Sequence, residues 1–241
     1  MTTTAAAATT AAGTTAAGTT AAAPLMPNTT VEALGTPLSR TGCGTQQLCA
    51  SEPSTCDPSS TNCFFLAAKQ TSGQNFEFGL AGQSTGYVAA TLSTDATLGG
   101  NDTTYVCANN NGTVKFFGAF LDNGRLTTTE LPVNNVKGSV NGSTIQCTFA
   151  ATVPNSTART TNFVLGISTG PFDATSNTLG NTTTRLQSTA VNLANASATV
   201  TNTLNANPTA APNTTSHAIT LQQSLMQALL ITGAMLGLVM H

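Results

Sequence analysis

Charged residues are confined to one part of this 241-residue chain, and this limits where a folded domain can lie. No charge precedes Glu32, and only Arg185 follows Asp173. The same part holds all six cysteines and all ten phenylalanines. A segment without large apolar residues cannot bury enough surface to offset the conformational entropy lost on folding. We therefore expect one globular core over residues 43–188, with flanks that hold only two charged residues, Glu32 and Arg40.

The composition excludes several functional classes. The net charge is −2 and no basic patch is visible, which argues against nucleic-acid binding. The two histidines, His217 and His241, both lie near the C-terminus. The core therefore cannot contain a Ser–His–Asp triad, a Cys–His dyad or a histidine metal site. We predict no catalytic residue and no metal site.

Residues 1–42 form a Thr/Ala-rich flank in which the repeat TTAAG recurs between residues 9 and 23. The first large apolar residue after Met1 is Leu25. We expect a disordered stalk suited to O-glycosylation, with a weak alanine-driven helix as the alternative. The chain start lacks the basic and apolar regions of a secretory signal.

Eight N-x-[ST] sequons nevertheless indicate export, because N-glycosylation takes place in the secretory pathway. Asn/Thr-rich chains produce some sequons by chance, but five of these lie beside Gly, Asp or Pro in expected loops. We predict glycosylation at seven positions: Asn28, Asn101, Asn111, Asn141, Asn155, Asn181 and Asn195.

The cysteines also indicate an oxidising compartment. Their number is even, as disulfide pairing requires. No C-x2-C pair is present, so the sequence does not indicate a zinc ribbon or a thioredoxin-like site. We predict three disulfides among six positions: Cys43, Cys49, Cys56, Cys63, Cys107 and Cys147. Fifteen pairings are possible. The pair Cys107–Cys147 is favoured because both residues lie on strand-like runs.

The C-terminal part carries a three-part pattern. An Asn/Thr/Ala-rich linker over residues 189–224 precedes an uncharged apolar tail over residues 225–241. The apolar run is shorter than the ~20 residues that a spanning helix needs. Small residues begin at Asn213 and a polar spacer follows, as in a GPI-attachment signal, with Ala210 or Ser216 as alternative attachment sites. A short tail-anchored helix and a buried amphipathic helix stay open. We expect the protein at the outer plasma-membrane surface.

Alternation of apolar and polar residues predicts β-structure in the core. Phe76, Phe78 and Leu80 alternate with Glu77 and Gly79. Further strands are predicted at 86–92, 104–108, 114–121, 145–153 and 162–168. Asn123-Gly124 and Asn141-Gly142 predict tight turns. Short strands with turn signals, and no long helical period, favour an antiparallel β-sandwich.

These segments resemble a known family. The clustered cysteines from Cys43, the run Phe76–Leu80 and the run from Gly86 to Asp95 look like those of DOMON domains, most closely those of ferric-chelate reductase 1-like proteins. Thr104–Cys107 and Phe163–Pro171 fit the same pattern over residues 43–188. The resemblance implies an all-β, immunoglobulin-like antiparallel β-sandwich that is usually extracellular and binds haem b or a sugar. We expect this chain to lack the family's cytochrome b561 region.

The resemblance also implies where haem ligands would lie. Haem-binding members hold iron with a Met after the LS-x-D segment and a His near the last strands. Here the Met position is Leu98, which has no lone pair for iron. The region after Pro171 offers Asn181 and the threonines 182–184, but no His. We therefore expect no haem cofactor.

Asp95 and Asp102, with Asn101, could supply oxygen ligands to a cation. A strand-end cap for Asp95 and a turn role for Asp102 are favoured over that site.

Together these observations predict a cell-surface, glycosylated DOMON module. It would bind or interact with an unknown small ligand or sugar, be held at the membrane by its C-terminal anchor, and not act as an enzyme. A haem-b redox module of the ferric-chelate reductase type and a mucin-like structural surface protein are the alternatives.

Overall fold

The structure, a computed structural model, describes residues 22–154 and 161–205. Its strands, numbered in chain order, are β1 Glu32–Ala33, β2 Leu48–Glu52, β3 Phe64–Ser72, β4 Asn75–Gln83, β5 Tyr87–Ser93, β6 Gly100–Asn110, β7 Thr113–Asp122, β8 Arg125–Thr129, β9 Val133–Asn141, β10 Thr144–Thr152, β11 Asn162–Gly170, β12 Phe172–Asp173, β13 Thr178–Leu179 and β14 Thr183–Asn192. A 3-10 helix follows at Thr203–Asn205. Within these residues, no helix is long and apolar enough to span a membrane.

Twelve of the strands form two six-stranded sheets. The first sheet has the order β1-β9-β10-β4-β3-β2, and the second has the order β14-β11-β5-β6-β7-β8. The hairpin β12–β13 is separate. Neighbouring strands run antiparallel except β1, which pairs with β9 in parallel. The predicted antiparallel β-sandwich is confirmed.

The alternating segments form strands as predicted. Phe76, Phe78 and Leu80 of β4 are buried in the main core, whereas Glu77 between them is exposed. All six predicted strand segments lie within or closely overlap β4, β5, β6, β7, β10 and β11. Asn123 and Gly124 adopt φ angles of 46° and 79°, which matches a type I′ hairpin turn between β7 and β8.

Among the strands that were not predicted, β8, β9 and β14 have mostly polar residues. β8 and β14 are mostly exposed, and β9 contains a left-handed Asn135 where its register with β10 shifts. Such strands alternate weakly and rely on pairing with a neighbour.

Aromatic rings fill the space between the sheets. Phe149 of the first sheet lies 5.2 Å from Phe78, 5.0 Å from Tyr105 and 5.1 Å from Phe116, measured between ring centroids. Tyr105 and Phe116 come from the second sheet, so the cluster joins both layers. Burial raises the pKa of the Tyr105 hydroxyl, which therefore stays protonated.

All six cysteines form disulfides, as predicted. Cys107 of β6 pairs with Cys147 of β10 across the core, with their Cα atoms 6.5 Å apart. This bond joins the second sheet covalently to the first. Cys43–Cys49 and Cys56–Cys63 hold the segment before β3 against the outer face of the first sheet.

The folded domain is longer than predicted at both ends. Residues 22–42 were expected in the stalk, yet β1 pairs with β9 and the Asn28 N–H donates to the Val133 carbonyl at 2.7 Å. Val31 and Leu38 give this segment apolar contacts with the core. At the other end, β14 runs past residue 188 and Leu193 is buried. Residues 1–21, 206–224 and the tail 225–241 lie outside the described residues.

Asn202, which follows β14, ties both sheets at one edge. Its side-chain NH₂ donates to a Glu52 carboxylate oxygen at 2.9 Å and to the Arg185 carbonyl at 3.0 Å. Its amide oxygen accepts from the Gln187 N–H at 3.1 Å. Glu52 belongs to β2, whereas Arg185 and Gln187 belong to β14, so one amide spans the edge strands of both layers.

We predict that removing the inter-sheet disulfide destabilises the domain more than removing a local one. The sequence separation is 40 residues for Cys107–Cys147 and 6 for Cys43–Cys49. Loop-closure entropy then gives losses of about 4 and about 2 kcal/mol, before any cavity cost at the buried pair. Urea unfolding of the two double Cys→Ala variants measures the difference; equal losses would contradict it.

Candidate functional site

The outer face of the second sheet carries a floor of small side chains. Partners in antiparallel strands share a face, so Gly166, Thr91, Thr104 and Ala119 form one row across β11, β5, β6 and β7. A second row contains Ser168, Ala89 and Val106. The hydroxyls of Thr91 and Thr104 are hydrogen-bonded at 3.0 Å. The Ser168 hydroxyl is buried and has no hydrogen-bond partner among the described residues.

Larger side chains cover this floor. Tyr87, Ala89, Val106, Ala108 and Ala119 form a second apolar cluster on this face. Packed against it are Phe117, Leu126, Phe172 and Leu179. The rings of Phe117 and Phe172 lie 5.6 Å apart, which fixes the β12–β13 hairpin over β7. The outer face is therefore a second, smaller core.

Leu98 covers the part of the floor next to β11. A Cβ built on Gly166 would lie 2.7 Å from the Leu98 Cδ1 atom, so the leucine side chain sits directly on that glycine. Leu98 is half-buried in the loop between β5 and β6.

Two carboxylates shape the loop that carries Leu98. One Asp95 oxygen accepts from the Thr97 N–H at 2.8 Å and from the Ser93 hydroxyl at 3.1 Å. The hydrogen bond from the Thr97 backbone is the main cause that lowers the pKa of Asp95. Asp102 is buried and accepts from the Gly99 N–H at 2.6 Å.

The favoured cap and turn roles of Asp95 and Asp102 account for both carboxylates. The part of the chain with described positions contains no cluster of three or more His, Cys, Asp or Glu residues suited to a metal.

The segment between β12 and β14 is held across the same face. The Tyr87 hydroxyl donates to the Gly180 carbonyl at 2.8 Å, and burial raises the pKa of Tyr87. The Thr182 N–H donates to the Gly124 carbonyl at 2.9 Å. These contacts place residues 180–182 between β5 and the β7–β8 turn.

A groove lies on the outer face of the first sheet, with a volume of about 590 Å³. Small residues, among them Ala67, Gly79 and Ala150, contribute to its lining. Two ion pairs frame it, Lys69–Glu77 and Lys137–Glu32, each with a shortest N–O distance of 3.9 Å. Both pairs are exposed, so they add little stability but leave four charged groups available to a polar ligand.

Six of the predicted glycosylation sites lie within the described residues. All six asparagines are exposed: Asn28, Asn101, Asn111, Asn141, Asn181 and Asn195. Asn155 and the predicted anchor site Asn213 lie outside them.

Comparison with known proteins finds relatives of the chain. It is 36% identical over 170 residues to the protein named "Putative ferric-chelate reductase 1" of Danio rerio, which covers 66% of this chain and 29% of that protein. The Xenopus laevis protein of the same name is 29% identical over 107 residues, or 41% of this chain and 18% of that protein. The chain is similar to these ferric-chelate reductase 1 proteins, in line with the resemblance of its residues 43–188 to DOMON domains. It spans less than a third of the length of these relatives.

No family model matches the chain. Among solved structures, the cytochrome domain of Myriococcum thermophilum cellobiose dehydrogenase aligns with a TM-score of 0.41 and 14% identity, over 64% of this chain and 85% of that one.

The residues on the covered face of the DOMON domain do not fit a haem held by two axial side chains. Leu98 occupies the position that the resemblance assigns to the methionine, and residues 180–184 offer no imidazole. All six cysteines are in disulfides, and the Tyr87 hydroxyl is engaged with Gly180. Met26 is the only methionine among the described residues; it is 79% exposed and precedes β1.

Sequence reasoning identified Leu98 but not the floor beneath it. The available signal is Gly166 within the apolar run 163–167, since an interior glycine marks a close approach by another group. The row that contains it becomes visible only once the strand pairing is known.

We predict that Leu98 and Gly166 are energetically coupled. Gly166→Ala should cost about 1–3 kcal/mol through overpacking, and Leu98→Ala about 1–2 kcal/mol through lost burial. The double variant should lose about 1 kcal/mol less stability than the sum of the two single losses, because the alanine at position 98 relieves the clash with the added methyl group. Gly35→Ala is the control, since no other group lies within 4 Å of the place that an added Cβ would take there. Strict additivity in urea unfolding would contradict the contact.

Proposed function

We propose that this protein is an extracellular, N-glycosylated DOMON module that acts by binding, without haem and without redox chemistry of its own. The observation that carries this proposal is Leu98 seated on Gly166, where the related domains would need an iron ligand. A leucine in that place closes the face instead of coordinating a metal. The face then contributes stability, and recognition must use another surface.

The disulfides and the exposed sequons support an extracellular location. Three disulfides persist only in an oxidising compartment for an ordinary mesophilic protein. Six exposed sequons around the sandwich suit the same compartment, because glycans need solvent-facing attachment points.

The groove on the first sheet is the favoured binding surface for a small polar ligand or sugar. Its volume falls within the range of about 300–1,000 Å³ that is typical of ligand sites. Gln47, Asn135 and Thr148 contribute hydrogen-bonding groups beside the two ion pairs. No sequon asparagine lies in its lining, so glycans would leave it open.

Haem titration tests the absence of a redox centre. The protein, secreted with haem supplied, should show no Soret band of bound haem, and the variant Leu98→Met should show no six-coordinate spectrum, because a second axial ligand is still missing. Stoichiometric six-coordinate iron in the unmodified protein would support the reductase-type alternative and overturn the proposal. Tight haem binding by Leu98→Met, but not by the unmodified protein, would show that the face still has room for the macrocycle. It would contradict the proposal that Leu98 closes this face.

The anchor is tested by enzymatic release. We propose a GPI anchor at Asn213, supported by the small residues, spacer and apolar tail of the sequence. Phosphatidylinositol-specific phospholipase C should release the protein from intact cells. A variant that ends before residue 225 is the control and should enter the medium untreated. Protein that stays on cells after the lipase, while the control is secreted, would indicate a tail-anchored helix instead.

A further inference from the structure

A cleft lies where the edges of the two sheets come together, on the side opposite the Asn202 contact. Three segments line it: Pro27–Thr29 before β1, Phe116–Gly118 of β7, and Thr128–Glu130 at the end of β8. Its volume is about 410 Å³. It is separate from the groove on the first sheet, with which it shares no lining residue.

Backbone groups of the second sheet face this cleft. The type I′ turn makes Asp122 and Arg125 a hydrogen-bonded pair, so by alternation Gly118 and Thr129 also bond to each other. Phe116 is the next residue of β7 with its N–H and C=O on that side, but β8 has already ended there. Thr128 points its own backbone groups away from β7, along the outer edge of β8.

These groups leave a sheet edge open. Among the described residues, neither Phe116 nor Thr128 takes part in any backbone hydrogen bond of the loops and turns. An uncovered edge can pair with another chain, and folded proteins usually cover or blunt it. The only charge of β8, Arg125, lies beside the β7–β8 turn, and the other end of the strand consists of the threonines 127–129.

Asn28 lies at the rim of the cleft, and its side-chain nitrogen is accessible for glycosylation. It begins the sequon Asn28-Thr29-Thr30 and is exposed. Its Oδ1 atom accepts from the Thr30 N–H at 3.1 Å, which fixes the amide and leaves Nδ2 free. The Asn28 N–H donates to the Val133 carbonyl at 2.7 Å, so the backbone at the attachment point is held by the first sheet.

We propose that the N-glycan attached to Asn28 lies in this cleft and covers the open edge of the second sheet. This rests on the N-glycosylation in the proposed function. In the transfer, Nδ2 loses a proton and forms a bond to the anomeric carbon of the first N-acetylglucosamine, while the pyrophosphate of the lipid-linked donor leaves. The glycan then occupies the cleft as a tethered group with a high effective concentration.

The chemistry of the cleft suits a sugar. Hydroxyls and the acetamido group can bond to the open N–H and C=O groups of Phe116 and Thr128 and to the Thr129 hydroxyl. Pro27 and the half-buried Phe117 offer apolar surface to the ring C–H groups and the acetyl methyl. Glu130 adds a carboxylate acceptor at the rim.

Two other sequons provide matched controls. Asn111 lies in the β6–β7 turn and Asn141 at the end of β9 beside the β9–β10 turn, both exposed and neither in the lining of this cleft. Glycans at these tips should point into solvent, and their removal should leave the edge of the second sheet unchanged.

Hydrogen exchange with mass spectrometry on the secreted glycoprotein tests the proposal. Asn28→Gln and Thr30→Ala each remove the sequon by a different change. Both should speed exchange at the Phe116 and Thr128 amides on the order of tenfold. Asn111→Gln and Asn141→Gln should not change exchange at these amides.

Glycopeptide mapping distinguishes failure of this inference from failure of the proposed function. An unmodified Asn28 beside modified Asn111 and Asn141 would overturn the inference and leave the proposed function standing. No glycan at any sequon would overturn both. A glycan on Asn28 whose loss does not change hydrogen exchange at Phe116 and Thr128 would overturn the inference alone. Protection of these amides that depends on protein concentration would also overturn it, because a second chain would then cover the edge.

Discussion

The Cys107–Cys147 bond, surrounded by aromatic rings, is the constraint on which the rest of the fold depends. It fixes the middle strands of two sheets whose other contacts across the core are non-directional apolar packing. With so few charged residues, the chain has little electrostatic means of setting the relative position of its layers. A covalent link and a shape-matched aromatic cluster supply that registration instead.

A rigid inner core allows the second sheet to carry another packed layer on its outer side. Small residues at Gly166, Thr91 and Ala119 form a level floor, and Leu98 and the β12–β13 hairpin cover it. Under the proposal that no haem is bound, Leu98 packed on Gly166 makes this face a source of stability and not a site of redox chemistry.

The sequence predicted the parts that depend on local pattern. The Phe76–Leu80 alternation and the Asn123-Gly124 turn each determine a strand or hairpin through a few neighbouring residues. It misplaced the domain boundary at residue 42 because β1 gains its stability from Val133 and Gly138, more than a hundred residues away. The groove of the first sheet could not be predicted either, since its lining comes from segments that meet only through sheet register.

Asn202 has a consequence for how this domain tolerates change in its flank. The residue lies in an Asn/Thr/Ala-rich stretch, yet its single amide binds the Glu52 carboxylate of β2 and pairs with the backbone of β14 at Arg185 and Gln187. Replacing Asn202 alone would keep the core contacts of Leu193 and Val200, but it would remove the partner of the Gln187 N–H and of the Arg185 carbonyl on the edge of β14. Pairing of that edge with another chain, and not unfolding, is then the expected consequence.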